Sequence, residues 1–134
     1  MALAWDGYCA DTSCSNDFLK LAVWGGGGQQ KYGHHPSGFG ISNLNDVIAA
    51  VRAGTPEDLA PKGIFDNDKN KYIYVRVITN DNCNIVIGKR LGANHKDRLL
   101  IAIHDKGAAA AVVSDENKVS KAQICLNQLM PSVV

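Results

Sequence analysis

Residues able to do chemistry are few and scattered along this sequence. Cys9 and Cys14, with His34 and His35, could be assembled into a zinc site on paper, but no C-x2-C or H-x3-H spacing supports one. No G-x-S-x-G, H-E-x-x-H or Walker pattern is present. His104 follows the apolar run LLIAI, where a surface or hydrogen-bonded histidine is expected rather than a base. A non-enzymatic chain without metal or cofactor is the expectation. The run Gly25–Gly28 has two readings, a hairpin connection or a phosphate cradle. With no G-K-[ST] ending and no helix to follow, the hairpin is favoured. What remains is aromatic chemistry. Trp5 and Tyr8 stand three positions apart, so on a helix both rings share one face, each with a flat wall and one hydrogen-bond donor. They are either core aromatics or part of a binding wall.

Charge narrows the partners. The 134 residues carry a formal net charge of +1, unevenly spread. Up to Pro61, three Lys/Arg stand against six Asp/Glu; from Lys62 onward, eleven stand against seven. The second half could meet an acidic partner or be an ordinary solvated surface. No nucleic-acid partner is implied. No apolar run approaches the roughly 20 residues of a membrane span. The opening MALAWDGYC lacks a basic region and contains Asp6, unlike a secretory leader, so a cytoplasmic location is expected. The sparse cysteines, Cys9, Cys14, Cys83 and Cys125, are then expected as free thiols.

The elements that must position these residues follow from periodicity. One domain over 1–134 is expected from the length. FLKLAVW (18–24) reads as a strand leading into a hairpin. SNLNDVIAAVRAG reads as a helix capped by Ser42, with Leu44, Val47, Ile48 and Val51 on one stripe and Gly54 at its end. TPEDLAPK is a turn or short helical piece before a short strand at 63–65. Three strand-like runs follow, at 71–79, 83–90 and 98–105, economically paired as an antiparallel meander. Strict alternation in the first would put Lys71, Ile73, Val75, Val77 and Thr79 on one face and Tyr72, Tyr74, Arg76 and Ile78 on the other, with both faces covered. GAAAAVV (107–113) is ambiguous between helix and strand. Residues from about 115 to 129 read as a closing amphipathic helix. The fold class is α+β, with helices on an antiparallel sheet.

In this order, particular residues resemble the profilins, small proteins that bind actin monomers. WDGYC resembles that family's opening helix with its W-x-x-Y pair. NLNDVIAAVRAGTPEDLAPKGIF resembles its second helix and the L-A-P-x-G-(I/M)-F turn, NKYIYVRV its K-Y-x-x-(I/V)-R strand, and IVIGKR the basic strand after it. The likeness spans nearly the whole chain. It implies a monomer with a central antiparallel sheet, N- and C-terminal helices side by side on one face and a further helix on the other. It also implies a groove for proline-rich peptides at Trp5, Tyr8, Tyr32, Gln128 and Leu129, with Trp24 in the preceding strand. Monomeric actin would be met by Phe65, Lys71, Tyr74, Arg76, Lys89, Arg90, Asn117 and Lys118, and phosphoinositide headgroups would compete for the basic patch. The chain departs from the family in two places: it ends MPSVV without a closing aromatic, and it holds three strand-like runs between Lys71 and Asp105 where profilins place four. Two rival functions are a peptide-binding scaffold that does not bind actin and a small-ligand sensory domain of the helix-on-sheet kind, which predicts an enclosed apolar pocket.

Overall fold

Runs rich in Val, Ile and Leu, broken by Gly, Asn and Asp, gather into one antiparallel sheet. The computed structural model describes residues 2–92 and 94–133. Its elements are α1 (Ala2–Asn16), β1 (Phe18–Gly25), β2 (Gln30–His35), α2 (Leu44–Arg52), α3 (Leu59–Lys62), β3 (Ile64–Phe65), β4 (Lys71–Thr79), β5 (Asn84–Arg90), β6 (Arg98–His104), β7 (Gly107–Val113) and α4 (Val119–Leu129). The strand order is β2-β1-β7-β6-β5-β4-β3, antiparallel throughout. The region from Lys71 to Asp105 holds three strands, as its sequence suggests.

Each face of the sheet carries its own apolar layer. Cys9 of α1 and Val119, Ala122, Leu126 and Leu129 of α4 are buried with Leu21, Val23, Ile85, Ile87 and Leu100. On the other face, Leu44, Val47 and Ile48 of α2 and Leu59 of α3 are buried with Trp24, Tyr72 and Ile101. This is the arrangement the resemblance implies. Burying a Val, Leu or Ile side chain stabilises by roughly 1.5–3 kcal/mol, so these two stripes outweigh local propensity wherever the two conflict.

The alanine run shows such a conflict. Alanine is the best helix former, yet Gly107–Val113 is a fully buried strand between β1 and β6. Ala109, Ala111 and Val113 pack in the α1/α4 layer, and Ala108, Ala110 and Val112 in the α2/α3 layer. Methyl-sized side chains at the centre let helices approach both faces closely, and this packing settles the ambiguity in favour of strand.

Two local expectations are corrected. Ser42 does not cap α2: its Oγ donates to the Phe65 carbonyl at 3.1 Å. Asn43 stands at the cap position without a capping bond. Its Nδ2 donates to the Gly63 carbonyl at 3.0 Å, and its Oδ1 accepts from the Phe65 N–H at 2.9 Å. The outer edge of the short β3, whose Phe65 carbonyl also accepts from the Ser42 N–H at 2.8 Å, competes for these side chains and wins. Gly54 does end the helix, at φ 76°.

The second correction concerns β4. Its register against β5 shifts between Tyr74 and Arg76, leaving Val75 as an extra residue. Alternation therefore breaks in mid-strand. Tyr72, Tyr74 and Val77 contact the α2/α3 layer, while Arg76 pairs with Ile87, and Ile78 with Ile85, of the α1/α4 layer. Nor are both faces covered: Ile73 and Val75 are 41% and 46% exposed.

Candidate functional site

At one end of the sheet, α1 crosses β1 and β2, and two glycines allow it to lie close. A Cβ at Gly33 would stand 2.6 Å from the Trp5 carbonyl carbon, so only glycine lets the helix backbone touch β2 here. A Cβ at Gly25 would overlap the ring of Tyr32, which lies across that position. Asp6 pins the contact, its Oδ1 accepting from the His34 N–H at 2.9 Å. Three rings result in series. Tyr32 stacks on Trp5 with centroids 5.8 Å apart and planes at 27°. Tyr8 meets Trp5 edge-on at 5.6 Å and 75°, and is 42% exposed. Both are preferred geometries for aromatic pairs, so the array holds its own shape.

Helix α4 closes the other side. A trough of about 290 Å³ lies between Trp5, Tyr8, Leu129 and Ser132. A second, of about 300 Å³, continues from Tyr8, Leu129 and Ser132 past Asp11, Thr12, Asn16, Cys125 and Gln128. The structure thus brings Trp5, Tyr8, Gln128 and Leu129 to one trough, with Tyr32 stacked behind Trp5. After α4 a short helical turn, Met130–Ser132, brings Ser132 to the trough. Trp24 sits in β1, buried on the opposite face of the sheet. Sequence reasoning missed Asp11, Thr12, Asn16, Cys125 and Ser132. Asp11 and Thr12 fall three and four residues after Tyr8, the helical neighbour positions that could have found them.

The other end of the sheet carries the basic residues, and strand register divides them. Ile73 pairs with Lys89, Lys89 with Arg98, and Arg98 with Val113 of the α1/α4 layer. Directly paired residues share a face, so Ile73, Lys89 and Arg98 lie on the α4 side, as does Arg76. Phe65 pairs with Lys71, whose Nζ stands 5.7 Å from the Phe65 ring centroid. Lys71 alternates with Tyr72, so this pair also takes the α4 side. Asn117 and Lys118 lie in the turn Glu116–Lys118 that leads into α4, where the Asn117 N–H donates to the Asp115 carboxylate at 2.9 Å. Tyr74 and Arg90 are different. Tyr74 packs in the α2/α3 layer, and Arg90 pairs with Tyr72 on that same side. The eight residues named together from sequence therefore split six to two between opposite faces.

Charge on this end is partly answered from within. Glu116 reaches Arg98 Nε at 3.0 Å and Arg76 Nη2 at 3.8 Å. Arg90 is held by Asp97 at 3.3 Å and by the side-chain amide oxygen of Asn70, Oδ1, at 3.0 Å. The loop before β4 is fixed by Asp66, which is 2% exposed and accepts from the Asp68 and Asn70 N–H groups at 2.9 Å each. Sequence reasoning also missed the apolar part of this surface, Ile73, Val75 and Leu91, all exposed.

The remaining candidates separate. Cys9 is buried and Cys14 exposed, and among the described residues no group of three or more His, Cys, Asp or Glu is arranged to hold a metal. Burial, with help from the Asp6 charge, pushes the Cys9 thiol up to about 12, and burial pushes Cys83 to about 11, so neither is a ready thiolate. The glycine run turns between β1 and β2, and the Gly27 N–H is already spent on the Lys106 carbonyl at 3.0 Å. No helix among the described residues is long and apolar enough to cross a membrane.

No family model matches the sequence, and no curated protein matches it. Solved structures do match in shape. A profilin of Schizosaccharomyces pombe superposes with a TM-score of 0.68 at 14% identity, covering 96% of this chain and 98% of that one. Acanthamoeba castellanii profilin II gives 0.65 at 16% identity, and profilin IB gives 0.66 at 14%, each with the same coverage. At such identity the likeness is one of fold, and the fold of this chain is that of the profilins.

Proposed function

We propose that this profilin-fold chain is a non-enzymatic, cytoplasmic, monomeric protein that binds actin monomers one to one and tethers them to proline-rich partners. One observation carries the reading: two surfaces of different chemistry stand at opposite ends of one sheet. The ring array Tyr32–Trp5–Tyr8 is at the β2 end, and the exposed apolar and basic patch is at the β4 end. Partners bound there need not exclude each other. The array suits polyproline II segments, which are extended before they bind and present flat rings and free carbonyls to aromatic walls. The patch combines Ile73 and Val75 with Lys71, Lys89, Arg76 and Arg98, an apolar centre with a cationic rim suited to an acidic protein surface. Capping the actin face used at the barbed end would suppress spontaneous nucleation while allowing delivery to growing ends. Phosphoinositide headgroups are a competing ligand for the same cations.

The test is nucleation of pyrene-labelled actin with wild type beside Arg76→Glu. Wild type is expected to lengthen the lag in proportion to its concentration, and the variant to do so much less. An unchanged lag at wild-type concentrations well above that of actin rejects actin binding. One observation favours a second reading, a peptide-binding scaffold without actin binding: Glu116 and Asp97 already answer three of the arginines. Titration of decaproline against tryptophan fluorescence, run beside the nucleation assay, separates the two. The scaffold reading requires peptide binding with the lag unchanged.

A further inference from the structure

Between α1 and α4 the trough does not end where the rings end. Its two parts share Tyr8, Leu129 and Ser132, and the second part is more polar than the first, with Asp11 its one charged lining residue. The Asp11 carboxylate makes no ion pair or hydrogen bond among the described residues, and the side chain is exposed. Asp6, by contrast, is committed to His34. The sequence of α1 contains no Lys or Arg, its last turn has no basic residue, and Asp17 follows directly after it. The carbonyl end of a helix dipole adds to the negative potential there. Lys121 of α4 acts on the Cys125 thiol but lines neither part of the trough.

Resting on the peptide-groove reading above, we propose that the preferred occupant is a proline-rich segment flanked by Lys or Arg, whose cation is held at Asp11. The spacing fits. Tyr8 and Asp11 are three residues apart, about 4.5 Å along a helix at 1.5 Å per residue. A polyproline II chain advances about 3.1 Å per residue, so a side chain one or two residues beyond the proline seated on Tyr8 reaches the carboxylate. Thr12 and Gln128 offer polar contacts along the same stretch, so the cation need not lose its whole hydration shell. Rings supply sequence-tolerant affinity, and Asp11 supplies a choice among proline-rich partners by the sign of their flanking charge.

Three peptides test this by tryptophan fluorescence: decaproline, decaproline with Arg at both ends, and decaproline with Glu at both ends. Placing the charge at both ends removes any dependence on binding direction. At low salt the Arg-flanked peptide is expected to bind wild type roughly tenfold tighter than the Glu-flanked one, with decaproline between, as one exposed attraction set against one repulsion allows. That ratio falls towards one at high salt and in Asp11→Asn, and inverts in Asp11→Lys. Equal affinities for the Arg- and Glu-flanked peptides in wild type, or a preference that survives in Asp11→Asn, overturn the proposal while leaving the groove intact. If none of the three peptides binds, the groove reading fails and this proposal falls with it.

Discussion

Glu116 is the residue on which the basic surface turns. Its carboxylate stands between Arg98 and Arg76 at 3.0 and 3.8 Å, and its side chain is 53% exposed. It therefore occupies the guanidinium groups that an acidic partner would use, at the modest strength of a solvated pair. If the chain binds actin monomers as proposed, Glu116→Gln is expected to tighten that binding by about two- to fivefold, equivalent to about 0.5–1 kcal/mol, with little change in thermal stability. A titration of labelled monomer reads the change. Weaker binding by the variant would mean that Glu116 touches the partner itself. Residue identity made Arg76 and the lysines visible in the sequence, but not this pairing. Glu116 is 18 residues from Arg98 and 40 from Arg76, and only the sheet brings the three together.

At the scale of elements, the groove depends on how closely α1 approaches β2. Gly33 permits that approach, because an added Cβ would stand 2.6 Å from the Trp5 carbonyl carbon, and backbone cannot swing aside as a side chain can. Gly33→Ala is expected to cost about 1–3 kcal/mol and to weaken decaproline binding at least fivefold by lifting Trp5 off Tyr32, while the effect on actin nucleation persists. Gly7→Ala is the matched control on the same helix: nothing lies within 4 Å of its added Cβ, and it should stabilise the chain by about 0.5–1 kcal/mol in urea unfolding. Equal stability changes for the two substitutions would contradict the close-approach account. The element pattern was largely legible. The apolar stripe of α2, the hairpin at the glycine run and the three strands from Lys71 to His104 appear where periodicity and turn residues put them. The alanine strand and the β4 bulge were not, because propensity favours helix for the first and no local residue type marks the second.

For the whole molecule, the buried thiols and Tyr72 make stability sensitive to alkali. Burial raises Cys9 to about 12 and Cys83 to about 11, both from 9.0, and burial beside Asp66 raises Tyr72 as well. The folded state therefore holds these protons more tightly than the unfolded chain does. Between about pH 9 and the raised values the folded state binds more protons, so stability falls as pH rises there and is flat for these groups below that window. Lys31, lowered mainly by burial, opposes the trend, but as one group against five, since burial also raises Tyr74 and Cys125. The urea midpoint should hold steady from about pH 7 to 8.5 and then decline; a midpoint at pH 10.5 equal to that at pH 7 contradicts it. The sequence by itself determined the local periods: the helical stripe on α2, the order of strands and turns, and the i, i+3 placement of Trp5 and Tyr8. Only the tertiary structure decided that Tyr32 stacks on Trp5, that Asp11 faces Gln128 and Ser132, and that Arg76 and Arg90 end on opposite sides. Period is carried by neighbours in the chain, whereas these juxtapositions follow from sheet register and from helices meeting across it, which no stretch of a few residues contains.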